Sequence, residues 1–292
     1  MHLAQWGTPV TAKFLSVCGA VKEPKSLWVP VGTPFRDVLA MAGGAAVDEF
    51  GIFISGIMMG ALTFDLDDVV TKTTGGLIVL PRGHYLVGRR TRPQQEMNHI
   101  GKSACDQCSY CTELCPRYLL GYEVQPHKVM RSLGFTMTGG GIWNQWAELC
   151  CACGLCTLYA CPEDLYPKEA CDQGKQDRRA AGLKFAQRKP AEPHPMKEYR
   201  RVPLPQLRRR LQIEEYEREA PFDEVRCHPA AVRIKMRQHT GEAAVPSVSE
   251  GQKVKKGQVV GRVEEGKLGA HVHASIDGKV RKVTPECVEI VA

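Results

Sequence analysis

The sequence contains no stretch that would direct the chain into a membrane or hold it there. The N-terminal MHLAQWGTPV lacks the basic start and the apolar core of a secretory leader. The most apolar window, from Phe50 to Phe64, has 15 residues and is interrupted by three glycines. A membrane-spanning helix needs about 20 consecutive apolar residues. We therefore expect a soluble, cytoplasmic protein with no transmembrane segment.

The chain also lacks the usual marks of a hydrolase or a nucleotide-binding enzyme. It shows no Ser-His-Asp set, no paired-carboxylate constellation and no Walker loop. The glycines at 139–141 do not follow a strand, so they indicate a loop between helices and not a phosphate-binding turn. The net charge of +7 is modest and is concentrated between Arg178 and Arg210. This favours a solvated basic linker over an acidic partner and does not argue for nucleic acid.

What the sequence has in abundance is cysteine, with 13 in 292 residues. Nine of the 13 lie between residues 105 and 161. A disulfide framework would belong to a short secreted chain and would spread its cysteines along it. The clustering indicates a reducing compartment and a metal or iron–sulfur site.

The clustered cysteines form two runs of similar design. In each run, three cysteines are separated by two residues, and a fourth cysteine is followed by proline. The first run contains Cys105, Cys108, Cys111 and Cys115, and the second contains Cys150, Cys153, Cys156 and Cys161. Three thiolates at this spacing reach three irons of one [4Fe-4S] cluster, and the fourth ligates the other cluster of a two-cluster ferredoxin. Zinc prefers pairs of cysteines, so two [4Fe-4S] clusters are favoured over zinc and over disulfides.

The ferredoxin rule predicts that ligands cross between the runs. Cluster one is assigned to Cys105, Cys108, Cys111 and Cys161. Cluster two is assigned to Cys115, Cys150, Cys153 and Cys156. The second run differs in having four residues, and not three, before its last cysteine, and in the presence of Cys151 beside Cys150. Cys150 has the two-residue gap to Cys153 and is therefore the preferred ligand.

The remaining cysteines are expected to have structural roles. Cys151 and Cys171 are expected to be spare buried thiols, with substitution for a ligand as the alternative for either one. Cys18, Cys227 and Cys287 are scattered through β-type segments and are expected to be small apolar core residues.

The pattern of the whole chain predicts an α+β protein with several domains. Residues 1–93 predict a β-grasp-like domain, because a hairpin, a helix closed by two glycines and two apolar strands follow one another. Residues 94–188 predict a helical ferredoxin domain, with helices after Pro126 and after Asp172. Residues 189–224 predict a linker that holds one short charged helix.

Residues 225–292 repeat a spacing of valines and turn glycines, which indicates a barrel-sandwich domain like that of lipoyl proteins. Lys267 falls near the hairpin tip at which lipoyl and biotinyl domains carry a modified lysine. Its neighbours do not match the usual modification motifs, so an unmodified sandwich is favoured. His271 and His273 alternate on a presumed strand, and without a third ligand they are interpreted as ordinary strand residues.

Three arginines lead into the predicted ferredoxin domain: Arg89, Arg90 and Arg92. Solvation of these side chains is favoured, and contact with an acidic redox partner is the alternative.

In combination, these segments resemble a known family. The matching text includes VCGAVKEPKSLWVPVGTPFRDVLAMAGG, ACDQCSYCTELCPRYLLG, LCCACGLCTLYACPEDLYPKEACDQGK and HVHASIDGKV. A soluble-ligand-binding β-grasp (SLBB) segment precedes a two-cluster ferredoxin segment and a barrel-sandwich segment. This order is similar to that of the cobalamin reductases of propanediol-utilisation microcompartments, which are relatives of the RnfC component of the Rnf complex.

The resemblance implies an oxidoreductase that passes electrons from NADH through FMN and two [4Fe-4S] clusters to a corrinoid, with the lumen of a bacterial microcompartment as an alternative location. Members of the family are longer, with a flavin- and NADH-binding domain before the SLBB segment. No glycine-rich strand-turn-helix replaces that domain here, so FMN and NADH are assigned to no residue. We expect a fragment, half of a split gene, or a subunit whose redox partner supplies the flavin.

Two other functions are compatible with the pattern. The chain could be an Rnf-type subunit that feeds a membrane complex, or a non-enzymatic module that binds partners and uses its clusters structurally. No cobalt ligand is assigned, and His84 and His99 are the histidines considered for that role.

Overall fold

A computed structural model describes residues 7–134 and 144–292. The loop expected at glycines 139–141 lies outside the described residues. The chain divides into two compact units. The split unit combines residues up to Val87 with Tyr216–Ala292, and the central unit is Gly88–Glu215. The domain boundaries predicted after residues 93, 188 and 224 remain predictions.

The first part of the split unit is a five-stranded sheet with the order β2-β1-β5-β3-β4. Its strands are β1 (Ala12–Gly19), β2 (Lys25–Pro30), β3 (Phe50–Ile54), β4 (Ala61–Thr63) and β5 (Gly76–Pro81). Strands β1 and β5 are parallel, and the other neighbours are antiparallel. Helix α1 (Phe35–Met41) follows the β1–β2 hairpin.

The core of this sheet follows from the alternation of side chains along β1. Leu15 and Val17 are fully buried, whereas Phe14 on the opposite face is exposed. Phe35 and Val38 of α1 pack on the same core. The expected hairpin, helix and two strands are therefore present. Strand β4 was not expected, because its three residues sit within a longer apolar window and are at most half buried.

The second part of the split unit contains two small sheets. Their orders are β10-β9-β7 and β6-β12-β11-β8. The strands are β6 (Ala231–Lys235), β7 (Val245–Pro246), β8 (Lys253–Val254), β9 (Val259–Arg262), β10 (Val272–His273), β11 (Gly278–Val283) and β12 (Cys287–Val291). Their buried valines and isoleucines form one shared core, including Ile234, Val260 and Ile290. This arrangement is the small sandwich that the valine and glycine spacing predicts.

The central unit is helical. Helix α2 (Tyr85–Thr91) leads into it, and it contains α3 (Gln94–Ala104), α4 (Tyr110–Glu113), α5 (Pro116–Leu119), α6 (Pro126–Ser132), α7 (Pro167–Ala180) and α8 (Leu204–Arg210). Helix α7 begins before Asp172, where it was expected, because Pro167 supplies a favourable first helical residue. Within residues 7–134 and 144–292, no helix combines the length and the hydrophobicity needed to cross a lipid bilayer.

Gly19 is required where β1 meets β5. Its φ angle is +89°, and a Cβ atom at this position would lie 2.1 Å from the carbonyl oxygen of Val79. Gly44 has a similar φ angle of +82°, but a Cβ atom there would have no neighbour within 4 Å. A side chain at position 19 would therefore add a steric clash to the backbone strain, whereas one at position 44 would add the backbone strain alone.

We expect Gly19→Ala to lower the free energy of unfolding by about 1–3 kcal/mol more than Gly44→Ala does, because only the first substitution overpacks the sheet. Both variants carry the cost of a left-handed alanine, which is about 1–2 kcal/mol. Urea unfolding followed by tryptophan fluorescence measures the difference. Equal decreases in the free energy of unfolding for the two variants would show that the contact between β1 and β5 does not restrict position 19.

Candidate iron–sulfur centre

The two cysteine runs form loops with the same backbone twist. In each run, the second and fourth residues after the first cysteine have positive φ angles. They are Gln107 (62°) and Ser109 (70°) in the first run, and Ala152 (56°) and Gly154 (82°) in the second. A left-handed conformation costs a non-glycine residue about 1–2 kcal/mol, and such strain concentrates at functional sites. Its repetition at matching positions indicates that both loops are shaped for the same kind of ligand.

The fourth cysteine of each run also has the same conformation in both. Cys115 has φ −71° and ψ 119°, and Cys161 has φ −76° and ψ 118°. Each is followed by a proline. Because extended backbone is favoured before proline, the Cys-Pro pair fixes the conformation of the residue that carries the thiol.

The extra residue of the second run is accommodated in a π-helix. In the first run, Tyr110–Glu113 form a short α-helical turn before Cys115. In the second run, Cys156–Ala160 form a π-helix, whose hydrogen bonds span one more residue than those of an α-helix. The wider turn takes up the four-residue gap, and Cys161 still reaches the backbone conformation of Cys115.

A threonine follows the third cysteine of each run and links it to the start of a helix. The Oγ1 atom of Thr112 accepts the N–H of His127 (3.1 Å), and that of Thr157 accepts the N–H of Lys168 (2.8 Å). Each N–H lies in the first turn of α6 or α7, where backbone donors have no partner within the helix. Sequence reasoning missed these threonines, although the repeated Cys-Thr pair was a usable signal.

The structure brings Cys161 to the thiols of the first run. Burial raises the pKa of the Cys111 thiol, and the nearby thiols of Cys105, Cys161 and Cys108 raise it further. Burial likewise raises the pKa of Cys161, with smaller contributions from Cys108 and Cys105. These four cysteines are the set that the crossed assignment gives to cluster one.

Cys115, the last cysteine of the first run, lies near the cysteines of the second run. Burial raises the pKa of its thiol, and the thiols of Cys150 and Cys151 add to that effect. Burial also raises the pKa of Cys156, which is influenced by the thiols of Cys150, Cys111, Cys115 and Cys153. The second group therefore contains the set assigned to cluster two, and Cys111 and Cys156 bring the two groups next to each other.

Backbone N–H groups point at several of these sulfur atoms. The N–H of Ala152 donates to Cys150 Sγ, and the N–H of Leu165 donates to Cys161 Sγ, both at 3.3 Å. Such bonds favour the thiolate, because they stabilise its negative charge. Other backbone donors are Tyr110 for Cys108, Leu155 for Cys153, and Arg117 and Tyr118 for Cys115.

This donor set fits thiolate-bound clusters. Soft sulfur ligands with N–H donors around them are what [4Fe-4S] sites use. Within the described ranges 7–134 and 144–292, no three His, Cys, Asp or Glu side chains converge on a position for a single metal ion.

The choice between Cys150 and Cys151 stays a prediction, because both lie near Cys115. A hydrogen bond from the Cys171 thiol is the largest of the effects that lower the pKa of Cys150 to about 6, against the opposing effect of burial. Cys171 is fully buried, as expected, whereas Cys151 is only partly buried. Cys171 thus contacts a predicted ligand and is not an isolated spare thiol.

The expectation that Arg89 is solvated is wrong. Its guanidinium is buried and donates to the carbonyl oxygens of Asp164 (2.6 Å) and Leu165 (2.7 Å). It also lies 4.2 Å from the centroid of the Tyr166 ring. Because these residues follow the second run, Arg89 holds the backbone where the chain leaves it. Arg90 is partly buried.

The candidates in the sandwich have ordinary partners. Lys267 lies between β9 and β10, and its Nζ atom pairs with Glu264 at 2.8 Å. The N–H of Val263 donates to His271 Nδ1 at 3.1 Å. His271 and His273 line the same cavity, of about 540 Å³. In the part of the chain that the structure describes, neither belongs to a group of three potential metal ligands.

Cys18, Cys227, Cys287, His84 and His99 lie outside the two cysteine runs. Cys227 packs in the core of the five-stranded sheet, as expected, whereas Cys18 and Cys287 are only partly buried. The N–H of Leu86 donates to His84 Nδ1 at 3.1 Å. His99 is exposed on α3.

Three segments match protein-family models, in the order that the sequence predicts. Residues 14–50 match the SLBB domain, residues 104–166 the 4Fe-4S dicluster domain, and residues 214–291 the RnfC barrel sandwich hybrid domain. The predicted fold class, an α+β chain with SLBB, ferredoxin and barrel-sandwich segments, is confirmed.

Curated relatives cover nearly the whole chain. It is 39% identical over 284 residues to the cobalamin reductase PduS of Salmonella typhimurium and 38% identical to that of Citrobacter freundii. Each match covers 97% of this chain and 62% of the relative, so the chain spans less than two thirds of their length. It is also 29% identical over 114 residues to one component of the proton-translocating ferredoxin:NAD(+) oxidoreductase complex of Clostridium ljungdahlii, covering 39% of this chain and 22% of that component.

Crossed ligation predicts which cysteine variants behave alike. Cys115→Ala removes a thiol of the first run that is assigned to cluster two. It should retain about four irons and show the same reduced EPR spectrum as Cys153→Ala, because both variants keep cluster one. Cys108→Ala should show the other spectrum. Iron analysis and EPR of the dithionite-reduced proteins measure this.

Cys18→Ala is the matched control, because Cys18 lies in β1 and should not affect either cluster. If the spectrum of Cys115→Ala agrees with that of Cys108→Ala, each run holds its own cluster and the crossed assignment is wrong.

Arg89→Ala should lower the free energy of unfolding of the central unit by about 2–4 kcal/mol, because two buried carbonyl groups lose a charged donor. Arg92→Ala is the control. Arg92 forms an exposed ion pair with Glu96 at 3.4 Å, and such a pair contributes about 0–1 kcal/mol. Anaerobic urea denaturation, followed by the loss of visible cluster absorbance, compares the two variants. Equal destabilisation would contradict the role assigned to the buried guanidinium.

Proposed function

Because the chain is related to the cobalamin reductases over 97% of its length and carries a 4Fe-4S dicluster domain, we propose that it is a two-cluster electron-transfer protein that acts in the reduction of a corrinoid. The names of both groups of relatives, cobalamin reductases and a component of a ferredoxin:NAD(+) oxidoreductase complex, describe oxidation–reduction proteins. The proposal specifies three things: the number of clusters, the cysteines that bind them, and a corrinoid as the electron acceptor.

The eight thiols of the two runs hold the clusters in this proposal. Cluster one is bound by Cys105, Cys108, Cys111 and Cys161. Cluster two is bound by Cys115, Cys150, Cys153 and Cys156. Each bound cluster supplies a one-electron redox centre. The chain's own contribution is to bury the sulfur atoms and to surround them with N–H donors, which tune the potentials.

The observation that carries the proposal is the proximity of Cys111 to Cys156. Both thiols are buried, and the charge of one affects the pKa of the other. They belong to different predicted ligand sets, so their proximity supports a short path for an electron between the two centres. A purely structural pair of metal sites has no need of such proximity.

The proposed acceptor rests on the names of the relatives, and the proposed donor rests on the family resemblance of the sequence. The first relatives are named cobalamin reductases, so a corrinoid is the proposed acceptor, and a redox partner that carries flavin and NADH-derived electrons is the proposed donor. FMN and the corrinoid are assigned to no residue of this chain. We propose association with a propanediol-utilisation microcompartment, as the family resemblance implies.

A second candidate is a subunit of an Rnf-type electron transport complex. The barrel-sandwich match at residues 214–291 and the 29% identity to the Clostridium ljungdahlii protein favour it. In that case the clusters work in the same way, but the acceptor is another subunit of an ion-translocating complex. A third candidate is a partner-binding module in which the clusters are redox-inert.

Anaerobically purified protein should contain about eight irons and eight sulfides per chain, as two cubanes require, and little flavin. Both clusters should be reduced reversibly in a potentiometric titration. Cob(III)alamin should then be reduced when an artificial reductant such as reduced methyl viologen is supplied, but not with NADH alone.

A Cys108→Ala/Cys153→Ala variant controls for direct reduction of the corrinoid by the viologen. Colourless protein rich in zinc would contradict the whole proposal. Clusters that do not cycle would favour the partner-binding module, and cycling clusters that never accelerate cobalamin reduction would favour the Rnf-type subunit.

A further inference from the structure

A basic segment lies against the backbone that carries the predicted fourth ligands. We call residues 196–210 the basic strap, and it holds six Lys or Arg residues and one Glu. The guanidinium of Arg210 donates to the carbonyl oxygen of Cys161. Arg200 pairs at 3.3 Å with Glu113, which lies within the first cysteine run. The strap is therefore attached to both runs.

The exposed side chains of the strap are apolar and cationic. Tyr199 is 81% exposed, Leu204 is 62% exposed and Met196 is 40% exposed. The side chains of Arg201 and Arg209 are 75% and 77% exposed. Exposed apolar groups bordered by charge are typical of surfaces that bind another protein.

The ion pairs that Arg201 and Arg209 form within the chain are weak. Arg201 pairs with Glu198, and Arg209 pairs with Glu214 at 3.6 Å. Exposed ion pairs of this kind contribute about 0–1 kcal/mol. Carboxylates on a second protein can therefore replace them at little cost.

We propose that the basic strap is the docking surface for an acidic one-electron carrier protein. This inference rests on the proposed electron-transfer function. The charge of the strap selects an acidic partner, and its hydrogen bond to Cys161 puts that partner beside a predicted cluster ligand. A nucleic acid would be attracted by the same charge but would gain nothing from that position.

The expected complex is weak and short-lived. Redox encounters use small interfaces, in which charge raises the association rate more than the affinity. In the step itself, a flavodoxin hydroquinone anion loses one electron to become the neutral semiquinone, and one cluster of this protein gains that electron. The gain in association rate from electrostatic steering decreases steeply with ionic strength.

The test uses the complete chain with both clusters bound and an acidic flavodoxin hydroquinone as the probe. Stopped-flow absorbance gives the second-order rate of cluster reduction. Arg201→Glu/Arg209→Glu should lower this rate by about tenfold or more at low ionic strength, and the difference should disappear in about 1 M salt. Arg201→Gln/Arg209→Gln, which removes two charges without reversing them, should give a smaller loss.

Lys253→Glu/Lys255→Glu is the matched control, because it reverses two exposed charges in the split unit and should leave the rate unchanged. Reduced methyl viologen, which needs no docking surface, separates the two levels of the proposal. If it reduces the clusters but the strap variants react with flavodoxin at the wild-type rate, the docking surface is wrong. Binding of duplex DNA by the strap without faster cluster reduction would also overturn it. If no reductant reduces the clusters, the proposed function itself fails.

Discussion

The central unit depends on two loops that must turn through left-handed residues in order to present three cysteines each. Three of the four left-handed residues are not glycine. At about 1–2 kcal/mol each, their strain is a sizeable part of the roughly 5–15 kcal/mol that stabilises a typical domain. The helices that follow are attached to the loops, because Thr112 and Thr157 accept hydrogen bonds from the first turns of α6 and α7. Binding of a cluster by the thiolates would also stabilise the folded state, because the cluster binds only the folded loops.

The two halves of the centre are alike in backbone but not in their surroundings. Residues four positions after the helix-starting prolines are Met130 on α6 and Cys171 on α7, and both are buried. The Cys171 thiol lowers the pKa of Cys150, whereas Cys105 Sγ accepts a hydrogen bond from the side-chain amide of Gln107 at 3.1 Å. The π-helix at Cys156–Ala160 adds a second difference. Hydrogen bonds to a ligand sulfur tune a cluster's potential, so the predicted ligands of the two runs have different surroundings.

The sequence predicted the structure best where the spacing of one residue type determines the local fold. The cysteine gaps predicted the two runs, and alternation along β1 predicted the hairpin and its core. Local patterns could not show that the extra residue before Cys161 enters a π-helix, because an inserted residue can equally form a loop. They also could not show the burial of Arg89, whose acceptors Asp164 and Leu165 lie about 75 residues further along the chain. Tertiary contacts of this range have no signature within a sequence window.

The split unit is discontinuous in sequence, and this has a consequence for synthesis on the ribosome. The N–H of Ser26 at the edge of the five-stranded sheet donates to Pro221, and Lys72 donates to Gln238, so the sheet's partners come from the last quarter of the chain. All of Gly88–Glu215 is translated before those partners exist. Both cysteine runs therefore leave the ribosome while the edge of the first sheet still lacks these partners. The order of translation thus allows the central unit to fold before the unit whose two segments flank it in the sequence.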